Sequence, residues 1–138
     1  MPASPRPRPC ASCPYRRSES NSGVWHESEY EKLPRYDAET FAQPVETFMC
    51  HQGDSEHVCS GWLGHADPSR LLAVRIGIMR GHLDPSCAEY ATDVPLFSSG
   101  QEAADHGMRD LESPSAAAQA TIEKVTRARA NTGSPVQR

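Results

Sequence analysis

The sequence predicts a small, irregular, mainly α single domain, α with little β, and three observations carry that prediction. The chain has 138 residues, enough for one domain and too few for two ordinary ones. Only 37% of it is apolar, and 12 Pro and 9 Gly punctuate it, so a large self-sufficient core is not expected. Five cysteines in so short and polar a chain are the candidates for the missing cohesion, as metal ligands or as disulfides.

The elements follow in chain order. Residues 1–9, MPASPRPRP, alternate proline with polar residues and predict an extended, disordered Pro/Arg-rich arm. Residues 10–66 form a cysteine- and aromatic-rich half. Within it, Glu27 to Leu33 reads as a short helix stopped by Pro34, and a second helix is capped by Asp37 and runs towards Ala42 before Pro44. Val45, Thr47 and Met49 alternate with Glu46 and Phe48, the one candidate strand of this half. Residues 67–130 read as the helical half of the same domain. Asp67 caps a helix with Pro68 at its first position, which continues through Leu71, Leu72, Val74, Ile76, Ile78 and Met79 to a stop at Gly81. Its apolar side chains cover most of its circumference, as expected of the core helix. Ser99-Gly100-Gln101-Glu102 has capping-box spacing and starts a helix ending near Met108. Ser113 then caps, with Pro114 in first position, a helix reaching about Ala130, whose narrow apolar stripe is Ala118, Ile122 and Val125. Residues 131–138 are expected to be a disordered tail.

Charge and segment length exclude some functions. The net charge is −4, yet Arg6, Arg8, Arg16 and Arg17 precede the first acid. Nucleic acid is therefore expected to be contacted, if at all, only through this N-terminal arginine arm. No run approaches the apolar length of a membrane span, and no apolar stretch follows the first arginines as in a secretory signal, so the expected compartment is the cytoplasm.

A reducing compartment turns the cysteines towards metal or redox chemistry. Cys10-Ala11-Ser12-Cys13 lets two sulfurs face one ion, and Cys50 and Cys59 bring the thiolates to the four that a zinc ion or a 4Fe–4S cluster needs. Cys50 and Cys59 do not form a second C-x-x-C pair, so His51 or His57 is a possible substitute ligand, and His51, next to Cys50, is better placed as a hydrogen-bond donor to the ligands. Arg16 and Trp62, close to the cysteines in sequence, are further candidates for supporting them. Zinc suits a domain short of core, because binding it is then folding energy. The cluster reading draws on Pro14 and on Tyr15, Trp25, Phe48 and Trp62 as water-excluding neighbours. A thioredoxin-like pair would need C-x-x-C between a strand and a helix, and the flanking prolines do not supply that context. Cys87 lies beyond the core helix and reads as an ordinary thiol.

Cys10-x-x-Cys13-Pro14-Tyr15-Arg16, Ser22-Gly23-Val24-Trp25, Cys50-His51-Gln52, Cys59-Ser60-Gly61-Trp62 and Val94-Pro95-Leu96-Phe97-x-Ser99-Gly100 resemble a family of small uncharacterised proteins of actinobacteria and their phages. The resemblance covers about residues 9–130 and implies a shared site built from those positions, without naming its metal. A weaker resemblance is to actinobacterial iron–sulfur regulators, which also combine four cysteines, a Gly-x-Trp turn and a basic segment. Cysteine order and spacing depart from that pattern here, and the basic segment lies at the other end.

The remaining chemistry is sparse. The chain contains no Gly-rich phosphate loop, H-E-x-x-H or G-x-S-x-G motif. A Cys59/His65 nucleophilic pair lacks an orienting third group. The expectation is thus a metal-stabilised domain with Cys10, Cys13, Cys50 and Cys59 as ligands. It would act as a binding or regulatory module towards a protein partner. The alternatives are an iron–sulfur protein in redox sensing or electron transfer, and a thiol redox enzyme using Cys10 and Cys13.

Overall fold

A computed structural model describes residues 2–10, 12–18, 21–49 and 57–128. Short helices dominate: α1 (Glu27–Glu31), α2 (Ser60–Gly64), α3 (Leu72–Met79), α4 (Gly100–Met108) and α5 (Ala116–Ala128). Between them lie 3-10 turns at Leu33–Asp37, Thr40–Ala42, Pro68–Arg70 and Pro85–Glu89. β1 (Ser4–Pro5) and β2 (His57–Val58) pair in parallel, Ser4 opposite His57 and Pro5 opposite Val58. Among the described residues no helix is long and apolar enough to cross a membrane.

The N-terminal segment differs from its reading as a free arm. It is extended but docked: Ala3 N–H donates to His82 O at 2.9 Å, Asp84 N–H to Ala3 O at 2.8 Å and Arg6 N–H to Val58 O at 3.1 Å. Prolines leave the intervening carbonyls as acceptors: Tyr90 Oη donates to Pro7 O and Arg16 Nη1 donates to Pro9 O. Composition predicted extension correctly and could not reveal these distant donors.

The predicted core helix is broken near its start. Asp67 caps as expected, its carboxylate accepting from Ser69 N–H at 3.0 Å, but only a 3-10 turn follows. Leu71 is extended and buried, and Gln43 Oε1 accepts Leu72 N–H at 3.0 Å, capping α3 from a loop far away in sequence. The helix then ends near Gly81, whose φ of +77° is the left-handed stop the sequence announced.

Further on, α4 keeps its predicted cap: Ser99 Oγ accepts Glu102 N–H at 3.2 Å. It also has one that the sequence did not reveal. Asp37, read as the cap of a helix at 37–42, instead turns both carboxylate oxygens to α4, accepting Gly100 N–H at 2.7 Å and Gln101 N–H at 2.8 Å. Only a 3-10 turn, Thr40–Ala42, forms where that second helix was expected. α4 packs on α1 and on the Leu33–Asp37 turn, and Gly107 makes the approach possible, since a Cβ there would stand 2.1 Å from Tyr30 Cε1. α5 starts two residues later than predicted, with Ser115 Oγ accepting Ala118 N–H at 3.1 Å. Its stripe of Ala118, Ile122 and Val125 is buried as expected.

The strand expected at 45–49 is absent apart from one antiparallel bridge, Met49 to Val58. Burial does not alternate along it: Phe48 is 5% and Val45 58% exposed, and Thr47 and Met49 are half-buried. Pro44 and the ring contacts of Phe48 with Tyr15, Tyr36 and Trp62 hold this stretch as an irregular segment whose aromatic side chain, not its alternation, decides which face is buried.

Candidate metal centre

Two loops and the start of one helix bring Cys13 and Cys59 together. Cys13 N–H donates to Cys10 O at 3.0 Å, closing the C-x-x-C stretch into a tight turn, and Arg16 N–H donates to Cys13 O at 3.0 Å. Buried side chains fix that loop. Asn21 Nδ2 donates to Cys13 O and to Arg16 O, both at 2.7 Å, and Trp25 Nε1 donates to Ser12 O at 2.7 Å. The loop is also sewn to the Val94-Pro95-Leu96-Phe97 segment, with Phe97 N–H on Tyr15 O at 2.8 Å and Arg17 N–H on Pro95 O at 3.1 Å. From the other side, Cys59 precedes α2 and donates its N–H to Phe48 O at 2.9 Å.

The result is a contact between Cys13 Sγ and Cys59 Sγ at 3.7 Å, with the residues only 1% and 4% exposed. A disulfide needs about 2.05 Å, so these are two separate sulfurs. Two ligands of one tetrahedral zinc, each about 2.3 Å from the ion, stand about 3.8 Å apart. Gly61 makes the approach possible, because a Cβ at that position would lie 2.2 Å from Cys13 Sγ and 3.2 Å from Tyr15 Cβ. Without a metal the Cys13 sulfur is held as the thiol. The hydrogen bond with Cys59, then burial, then the charges of Cys59 and Cys10 push the Cys13 thiol well above its ordinary 9.0.

Cys10 is half-buried, with Sγ 3.5 Å from Ser12 Oγ, and lies near enough for its charge to act on Cys13. Cys50 and His51 lie outside the described residues. Among the described residues no three His, Cys, Asp or Glu side chains gather closely enough to hold an ion. The described part of the centre is thus a sulfur pair with Cys10 beside it. His57 is half-buried on β2 and lines a groove with Cys10, Arg6 and Arg8. Arg16 turns to Pro9 O at 3.0 Å and so fixes the N-terminal segment against the cysteine loop. Trp62 walls the site by stacking on Phe48 and meeting Tyr36 edge-on. Cys87 is buried elsewhere, its thiol 3.8 Å from Ala3 O, and burial followed by the Asp84 charge raises it to about 11.

Asn21 escaped the sequence reading, whereas Tyr15, Ser60 and Trp62 lie in the motifs that it singled out. Among the described residues nothing pairs with the buried Tyr15 Oη, Ser60 Oγ and Trp62 Nε1, and all three belong to residues within three positions of Cys13 or Cys59. Such groups cost free energy unless an acceptor meets them. Tyr15 is raised well above 10.0 by burial and, next, by the charge of Cys59. Its ring stacks on His65 at 4.4 Å, and His65 Nδ1 meets Trp62 O. Burial lowers His65 below its ordinary 6.5, so it stands as a neutral wall of the aromatic cluster. Adjacency of Ser60 and Trp62 to Cys59 was the one available signal, whereas the need for glycine at 61 was not readable without the fold.

A second concavity, of about 440 Å³, lies beside Asp37, His65 and Asp67. Its polar lining is engaged internally, Asp37 by α4, Asp67 by Ser69, Thr40 by Arg70 O and Gln43 by Ala38 and Leu72.

These features define a small single-domain protein of short helices with a buried sulfur pair at the junction of three chain segments. The chain belongs to a family of unknown function (DUF6283), whose pattern matches residues 5–129. No curated protein and no solved structure matches it.

Proposed function

We propose that this chain is a small metal-binding protein in which Cys10, Cys13, Cys50 and Cys59 hold one structural zinc ion, and that the domain so stabilised serves as a binding or regulatory module for a protein partner in the cytoplasm. The observation that carries the reading is the 3.7 Å contact between Cys13 and Cys59, 46 residues apart in sequence and enclosed in the core. The thiolates of a cubane cluster bind different irons and stand farther apart than two ligands of one ion, so the contact distance favours a single ion over the iron–sulfur alternative.

Cobalt titration of the reduced, metal-free full chain tests this. Tetrahedral thiolate ligation gives intense sulfur-to-cobalt charge-transfer and visible ligand-field bands that saturate at one equivalent and vanish when zinc displaces the cobalt. A titration with no such bands overturns the proposal. Brown protein containing iron and sulfide after anaerobic purification would put the cluster in its place.

A further inference from the structure

The sulfurs of the proposed centre are unequally shielded. Cys13 and Cys59 are sealed in the core, but half-buried Cys10 lines an open groove of about 490 Å³ together with Arg6, Pro7, Arg8, Pro9 and His57. The docking of residues 3–9 builds this groove, since pairing of β1 with β2 sets the arginine segment beside His57. Both arginines therefore share with Cys10 a solvent-open wall. A guanidinium beside a thiolate favours reactions in which negative charge develops on a leaving oxygen.

We propose that Cys10 is the oxidant-accessible thiolate of the centre, and that a hydroperoxide entering the groove converts Cys10 and Cys13 into a disulfide and releases the metal. The inference rests on the metal reading above. In the first step the Cys10 sulfur attacks the terminal peroxide oxygen. An S–O bond forms, the O–O bond breaks, and the alkoxide or hydroxide leaves beside Arg6 and Arg8 and takes a proton from water. In the second step the Cys13 thiolate attacks the sulfenic sulfur, forming S–S and expelling hydroxide, which takes a second proton. The two sulfurs give up two electrons, the peroxide is reduced to water or an alcohol plus water, and the ion loses two of its four ligands.

Cys13 is the resolving partner because the turn already positions it. The Cys13 N–H to Cys10 O bond of 3.0 Å closes a four-residue turn, whose ends lie within about 7 Å, the range a disulfide spans. The competing product is Cys13–Cys59, because those sulfurs also touch. Exposure sets the order, since the oxidant reaches Cys10 before either buried sulfur.

The test is hydrogen peroxide added to the full chain as purified, after its metal has been counted, with a chromophoric chelator reporting release and peptide mass mapping reporting the disulfide. The expected result is a Cys10–Cys13 bridge formed in step with release, Cys87 unmodified, and a sulfenic acid trapped at Cys10. Because Cys10→Ser also removes a ligand, the paired variant is Arg6→Ala/Arg8→Ala, expected to keep the metal and slow its release by roughly tenfold. A chain carrying no metal overturns the metal reading, and this inference with it. A metal-bearing chain that first closes Cys13 to Cys59, oxidises Cys87 first, or releases metal at an unchanged rate in the arginine variant overturns this inference alone.

Discussion

Gly61→Ala is the sharpest perturbation of the centre, because one methyl group would enter the space that Cys13 Sγ occupies. The added Cβ would stand 2.2 Å from that sulfur, where ordinary contact needs about 3.4 Å or more, so the sulfur or α2 must move by about 1 Å. Neither move is free: Cys13 is held by Asn21 on its carbonyl and by the turn on its N–H, while Trp62 locks α2 into the aromatic cluster. Overpacking of this kind costs about 1–3 kcal/mol, and the better helix propensity of alanine returns up to about 1 kcal/mol. The net loss of about 1–2 kcal/mol lowers Tm by roughly 3–10 °C in a domain of this size. Gly107→Ala is the comparison, because its Cβ would meet the Tyr30 ring at 2.1 Å, on the face between α1 and α4. Urea titration is run on both variants with and without zinc. Both are expected to lose stability, and only Gly61→Ala is expected to lose zinc affinity in addition. A Gly61→Ala chain as stable as wild type, or one binding zinc with unchanged affinity, refutes the reasoning that this glycine exists to admit the sulfur.

Other perturbations address the surroundings of the centre. Asp37→Ala removes both acceptors at the start of α4 and is expected to cost about 1–2 kcal/mol in urea titration, with Asp37→Asn recovering part of it. Tyr15→Phe deletes a buried hydroxyl that has no partner among the described residues and is expected to stabilise the metal-free chain by about 1 kcal/mol or more; a loss of urea stability would show that the hydroxyl is bonded. Burial raises Tyr30 from 10.0 to about 12, so the stabilisation from keeping it protonated is full below pH 10 and is lost as pH rises through about 12. That is about 2–3 kcal/mol, read as a falling urea midpoint between pH 9 and 12 that flattens in Tyr30→Phe. Cys87→Ala is expected to leave the metal count unchanged by elemental analysis and to cost about 1 kcal/mol for a small cavity.

Local signals in the sequence were read well where the chain decides alone. Ser99 and Asp67 cap what they were expected to cap, Gly81 stops α3, and the α5 stripe is buried. Misreadings arose where a distant partner overrides the local pattern. Asp37 looks like the cap of its own helix and instead serves α4, Gln43 breaks the core helix by capping at Leu72, and the rings around Phe48 hold residues 45–49 out of the strand expected there. Residues 2–9 carry no apolar signal and dock through backbone bonds and Tyr90, which composition cannot register. Within the candidate centre, Cys13 and Cys59 were two of the four cysteines named together from the sequence, and the structure brings these two sulfurs into contact. The part played by Asn21 and the need for a glycine at 61 were not legible, since both exist only once the two loops meet.

The most direct measurement is the metal content of the chain purified without oxygen, by elemental analysis of wild type and Cys59→Ser, with Cys87→Ser as the control for removing a thiol. The account predicts about one zinc per chain in wild type and in Cys87→Ser, and none retained in Cys59→Ser. Wild-type protein that is folded and metal-free, or a Cys59→Ser chain that keeps its zinc, would contradict it.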